Sequence, residues 1–170
     1  MPMRRIVLAV ALALSSSPAS TAAPAAKDAF ERLKSLAGDW RSARPGSATV
    51  VDYRAIANGA ALVERWTMSP TRQSMTVYTM DGDRLLATHY CPQGNAPRLR
   101  LEAIDASGAY RFEFVDGANL QDPQGSHEHA FWLRIDAQGR ITRGETYVRN
   151  GSDYDPSRDM GEVETFVRTK

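Results

Sequence analysis

The sequence predicts an all-β protein, an antiparallel up-and-down β-barrel of about nine or ten strands with one short helix in front. Three observations carry this. From Ser47 onward, short segments alternate apolar and polar residues with a period of two. Turn signals separate consecutive segments: Asn58-Gly59, Asp81-Gly82-Asp83, Asp105-Ala106-Ser107-Gly108 and Asp136-Ala137-Gln138-Gly139. Such connections are too short for crossovers, so neighbouring strands pair antiparallel in a meander. Finally, helical spacing is confined to one stretch near the start of the domain. A sheet of this many strands leaves unpaired edges unless it closes, which favours a barrel, with a two-sheet sandwich as the alternative.

In chain order, Met1–Arg5 supply positive charge, Ile6–Leu14 an apolar run and Ser15–Ala26 mostly small residues. That order predicts a secretory signal peptide over residues 1–25, with cleavage sites at Ser20-Thr21-Ala22 and Ala23-Pro24-Ala25. The run is too short to span a bilayer, which takes about 20 apolar residues. With no cysteine beside the cleavage sites, lipid attachment there is excluded, and the expectation is a periplasmic or secreted protein. Residues 26–170 then form a single domain. Lys27–Ala37 places Phe30, Leu33 and Leu36 on one helical face, with Gly38 as its stop. Trp40 opens the first strand. Strands are expected at Ser47–Ile56, Ala61–Met68, Ser74–Met80, Arg84–Cys91, Arg98–Ile104, Ala109–Val115, His127–Ile135, Arg140–Val148 and Glu162–Arg168, with long loops at Asp116–Ser126 and Asn150–Gly161.

Composition narrows the function classes. Charged residues at 24% and hydrophobic ones at 42% describe an ordinary globular domain rather than a disordered chain. Arg4 and Arg5 belong to the leader, so the domain keeps 19 of the 21 basic residues against 20 acidic ones, a net charge of −1. Nucleic-acid binding needs a basic excess to neutralise phosphates, and there is none. The single cysteine, Cys91, excludes an intramolecular disulfide. It can be a reactive thiol, an intermolecular bridge or a buried hydrophobe. A monomer or weak homodimer is expected.

Splitting each strand into two faces gives a candidate interior. Leu99, Leu101 and Ala103 point inward from one strand, Tyr110, Phe112 and Phe114 from the next. Phe131, Leu133 and Ile135 share a face, and unbroken alternation carries His127 and His129 with them and Glu128 to the opposite face. Leu85, Ala87, His89 and Cys91 form another inward set, as do Leu62, Glu64, Trp66 and Met68. The interior then holds Glu64, His89, Cys91 and His129 among aromatic side chains. Polar groups buried there need each other, water or a ligand.

Leu36-Ala37-Gly38-Asp39-Trp40 resembles the Gly-x-Trp opening of the lipocalins and wider calycin barrels. The chain is similar, over most of residues 30–168, to an uncharacterised family of exported bacterial lipocalin-like proteins. The matching segments are Gly59-Ala60-Ala61-Leu62-Val63-Glu64, Tyr78–Cys91 with its Thr88-His89-Tyr90-Cys91, and Gly94-Asn95-Ala96-Pro97. The resemblance implies a tryptophan, here Trp40, closing one end of the barrel, with Arg168 of the last strand packed across it. It also implies an inner cavity for small apolar ligands. The ten-stranded nitrobindin-like barrels, similar in size, bind haem through a histidine near the C-terminus. This chain has no histidine after His129, so the resemblance does not extend to that ligand, and no cofactor is named by the sequence.

The expected function is therefore non-catalytic binding of a small apolar molecule, with Glu64, Trp66, His89, Cys91, Phe112, Phe114, His129 and Phe131 at the site. Two other readings stand beside it. An enzyme could use Cys91 as nucleophile, His89 or His129 as base and Glu64 to orient it. A structural or interaction protein would have a filled barrel. His127-x-His129 sets two imidazoles on a strand about 7 Å apart, but without the paired Cys-x-x-Cys or His-Glu-x-x-His spacing that marks a zinc centre.

Overall fold

The computed structural model describes residues 22–122, 124–152 and 162–169. The predicted leader up to residue 21 and most of the predicted Asn150–Gly161 loop lie outside the described residues. Helix α1 (Ala22–Lys34) is followed by ten strands: β1 (Gly38–Ser42), β2 (Val50–Ile56), β3 (Ala61–Ser69), β4 (Arg72–Asp81), β5 (Arg84–Tyr90), β6 (Ala96–Ile104), β7 (Tyr110–Ala118), β8 (Ser126–Ile135), β9 (Ile141–Arg149) and β10 (Glu162–Arg168). Every strand pairs antiparallel with its neighbours in sequence, and β1 pairs with β10, so the sheet closes into a barrel. Closure, rather than a sandwich, is what satisfies the backbone groups of the first and last strands.

The helix starts earlier than its periodicity suggests and ends at Lys34 instead of Ala37. Ser35, Leu36 and Ala37 continue as tight turns, their amides donating to the carbonyls of Arg32, Leu33 and Lys34. Ala26, Ala29, Phe30 and Leu33 are buried, and the helix packs against β2, β4 and β5 at the end of the barrel where β1 begins. Trp40, 2% exposed, seals that end, and its Nε1 donates to the Leu36 carbonyl at 2.9 Å. The Arg168 guanidinium lies 4.4 Å from the Trp40 ring and donates to the carbonyls of Ala37 and Ser35. Gly38 makes this possible. It has φ +137°, and a Cβ there would stand 2.2 Å from Arg168 Nη1.

The predicted faces hold where pairing is regular. Leu85, Ala87, His89 and Cys91 are all buried, as are Leu62, Glu64 and Trp66. Two β-bulges change the others. Between Leu101 and Ala103 the β6–β7 register slips by one residue, so Ala103 is exposed although Leu99 is fully buried. Between Glu128 and Ala130 the β8–β9 register slips at His129. Glu128 and Phe131, an odd number of residues apart, are therefore both buried, against the expectation that Glu128 faces outward. On the outer wall Trp132 lies across Gly144, its β9 partner, where a Cβ would come within 2.4 Å of Trp132 Nε1.

Candidate functional site

At the end of the barrel away from α1 lies a cavity of about 970 Å³. Its rim is drawn from the β1–β2 loop (Arg44, Ser47, Thr49), the β3–β4 turn with the first residue of β4 (Thr71, Arg72) and the segment after β5 (Pro92, Gln93). Its walls include Trp66, Met68, Ser74, Cys91, Arg143, Glu145, Tyr147 and Glu164. The closed-barrel strand order sends these side chains in from β3, β4, β9 and β10, so one end is sealed and the other opens.

The floor is a buried charge network centred on Arg143, which is 1% exposed. Its Nε donates to Glu145 at 2.7 Å, its Nη2 to Glu128 at 2.7 Å, and its Nη1 to the Tyr78 hydroxyl at 3.1 Å and Glu64 at 3.4 Å. Its guanidinium also lies 3.9 Å from the Phe131 ring centroid. Glu64, fully buried, further accepts from Trp66 Nε1 at 2.6 Å and from the Tyr78 hydroxyl. Burial works against the charge on Arg143, but the surrounding acids, Glu64 first, outweigh it and keep the guanidinium protonated.

Glu128 is the unusual member. One of its oxygens accepts from Arg143, while Oε2 has no hydrogen-bond partner and lies 3.6 Å from His89 Nδ1. Burial, which outweighs the Arg143 charge, pushes its pKa up to about 8 and favours the protonated carboxyl. Burial also pushes His89 down to about 4, leaving a neutral imidazole. That ring sits between Thr76 Oγ1, 3.0 Å from Nδ1, and the Tyr147 hydroxyl, 3.4 Å from Nε2. Burial likewise raises the Cys91 thiol and the Tyr147 phenol.

A second cluster joins Phe114, His127 and His129. The Phe114 ring lies 5.3 Å from that of His129, nearly parallel, and 4.7 Å from that of His127. Asn150 Nδ2 donates to the Asp122 carbonyl, which aims its Oδ1 at His127 Nδ1, 2.9 Å away. His127 Nδ1 is then the donor, and its Nε2 lies 3.1 Å from His129 Nδ1.

The eight residues predicted from sequence thus fall into three places. Trp66 and Cys91 line the cavity; Glu64, His89, Phe112 and Phe131 are buried in the barrel interior; Phe114 and His129 belong to the histidine cluster. No protein-family model matches the chain. A comparison with curated proteins also finds no match.

Sequence reasoning missed Arg143, Glu128, Glu145, Tyr78 and Tyr147. Tyr78 shares its parity with Thr76 in β4, and Arg143 shares that of Ile141 in β9. In Ile141–Val148 neither face is purely apolar, and that lack of separation was the available signal. Glu128 left none, because the bulge reversed its face. Among the described residues, no three His, Cys, Asp or Glu side chains converge as metal ligands would.

Proposed function

We propose that the protein is a non-catalytic binder of a small molecule with an apolar body, held in the open-ended barrel cavity. The observation that carries this reading is the cavity itself, at about 970 Å³ within the size range of small-molecule sites. Trp66 and Met68 offer the apolar contact. The Gly-x-Trp segment, with Arg168 packed over Trp40, supports the lipocalin-like assignment, and the leader sequence supports action in the periplasm or outside the cell. Catalysis by Cys91 gains nothing from its surroundings, since burial pushes the thiol away from the thiolate a nucleophile needs.

Native mass spectrometry of the untagged protein, purified from the periplasm, tests this. A reproducible added mass is expected, lost in Ser74→Trp, which fills the cavity from β4. A bare polypeptide mass together with failure to take up any apolar fluorescent probe would refute the reading.

A further inference from the structure

The acids and bases that line the cavity are not equally provided for. Glu145 accepts from Arg143 Nε at 2.7 Å and Glu164 from Ser42 Oγ at 2.5 Å. Arg143 uses Nε, Nη1 and Nη2 on Glu145, on Glu64 and Tyr78, and on Glu128. Arg44 and Arg72, by contrast, line the rim with no carboxylate or carbonyl joined to their guanidinium groups among the described residues. Outside the cavity, Arg54, Arg65, Arg84, Arg98, Arg111 and Arg140 are each ion-paired, whereas Arg41, Arg134 and Arg149 have no ion pair among the described residues. What sets Arg44 and Arg72 apart is that both line the cavity. The two rim arginines approach the same opening from different connections, one from the β1–β2 loop and one from the start of β4. Ser47, Thr49, Thr71 and Ser74 line the same cavity.

A guanidinium is a flat fork of donors that matches the oxygens of a carboxylate, sulfonate or phosphate. Two such forks stand at one mouth with no described carboxylate joined to either, so positive charge is local to the rim where a ligand enters. Of the acids in the same cavity, Glu145 is ion-paired with Arg143, and Glu164 bonds the neutral Ser42 hydroxyl and keeps its charge. We propose that the rim is an anion-binding subsite: Arg44 and Arg72 hold the acidic group of an organic acid whose body lies against Trp66 and Met68. The assignment rests on the cavity being a binding site and names the class of its ligand.

Fluorescence titration of the whole protein with two probes tests it: anilinonaphthalene sulfonate, and phenylnaphthylamine, the same ring system without the sulfonate. The sulfonate should bind roughly five- to tenfold more tightly at low salt, as two exposed charge pairs allow, and the gap should narrow as salt is added. Arg44→Gln with Arg72→Gln should bring the two affinities together, while Arg65→Gln, on the outer wall, leaves the difference intact. Equal affinities in the unaltered protein, or a preference that survives the double substitution, would overturn the anion subsite and leave the cavity reading standing. Uptake of neither probe, or uptake that Ser74→Trp does not reduce, would overturn both.

Discussion

Burial favours the protonated form of Glu128, and the Arg143 charge only partly offsets it. Arg143 satisfies one oxygen, and the other faces a histidine that burial holds neutral. This has a consequence for stability. In the unfolded chain a glutamate ionises near 4.5, whereas Glu128 in the fold ionises at about 8. Between those values the folded state binds the extra proton, so raising the pH costs stability. His89 acts in the opposite sense between 6.5 and about 4, where the unfolded state binds the extra proton and lowering the pH costs stability. The two oppose each other below 6.5, leaving the Glu128 effect visible alone above it. From pH 6.5 to 8 the protein should lose about 2 kcal/mol of unfolding free energy through this group, measured by urea denaturation at both values. Glu128→Gln should flatten that interval, and an unchanged slope would show that Glu128 is already ionised in the fold. Alternation read Glu64, Trp66 and His89 correctly because β3 and β5 keep their register over those residues, and Cys91, one residue past β5, is buried on the same parity. It could not read Glu128 or Ala103, because a bulge shows only when two strands are laid side by side.

Nine strands were legible as alternating runs between turn residues, with errors of extent confined to their ends. The first strand, β1, was legible only through Trp40, which lies in its middle rather than at its start. Strand β2 begins at Val50 rather than Ser47, and β7 runs to Ala118 rather than Val115. The junction of α1 with β1 was legible through Gly38 and Trp40, yet its reason is only visible in the packing. Gly38 is needed both for its positive φ and for the room it leaves the Arg168 guanidinium. Gly38→Ala should therefore cost about 1–3 kcal/mol in thermal or urea unfolding, the range for a strained backbone position. It should also shift the emission of Trp40 as Arg168 is displaced from its ring. Full stability in this variant would show that the Arg168 contact contributes little.

The molecule as a whole was predictable as a closed barrel because ten successive strands, most of them joined to the next by a short connection, have few other ways to pair their edges. What alternation could not supply was the division of the interior into a sealed, charged floor and an open mouth. That division depends on which side chains from distant strands reach one another, as Glu64 and Arg143 do across 79 residues. Closure depends on β10, which alone joins β9 to β1. A chain ending at Ser152 should present both β9 and β1 as bare edges and elute as aggregate in size-exclusion chromatography; a soluble monomer would argue that the sheet closes by another route.

The pairing of Trp40 with Arg168 has a topological consequence. It makes the sheet a ring in which every strand stands between two partners, so the β1–β10 seam differs from the hairpins only in carrying no covalent link. A circular permutant that ties the end of β10 to the start of α1 and begins instead at the β4–β5 turn, between Gly82 and Asp83, keeps every ladder of the barrel. In architectural terms the order of the strands around the wall is fixed, and the point at which the polypeptide enters it is free.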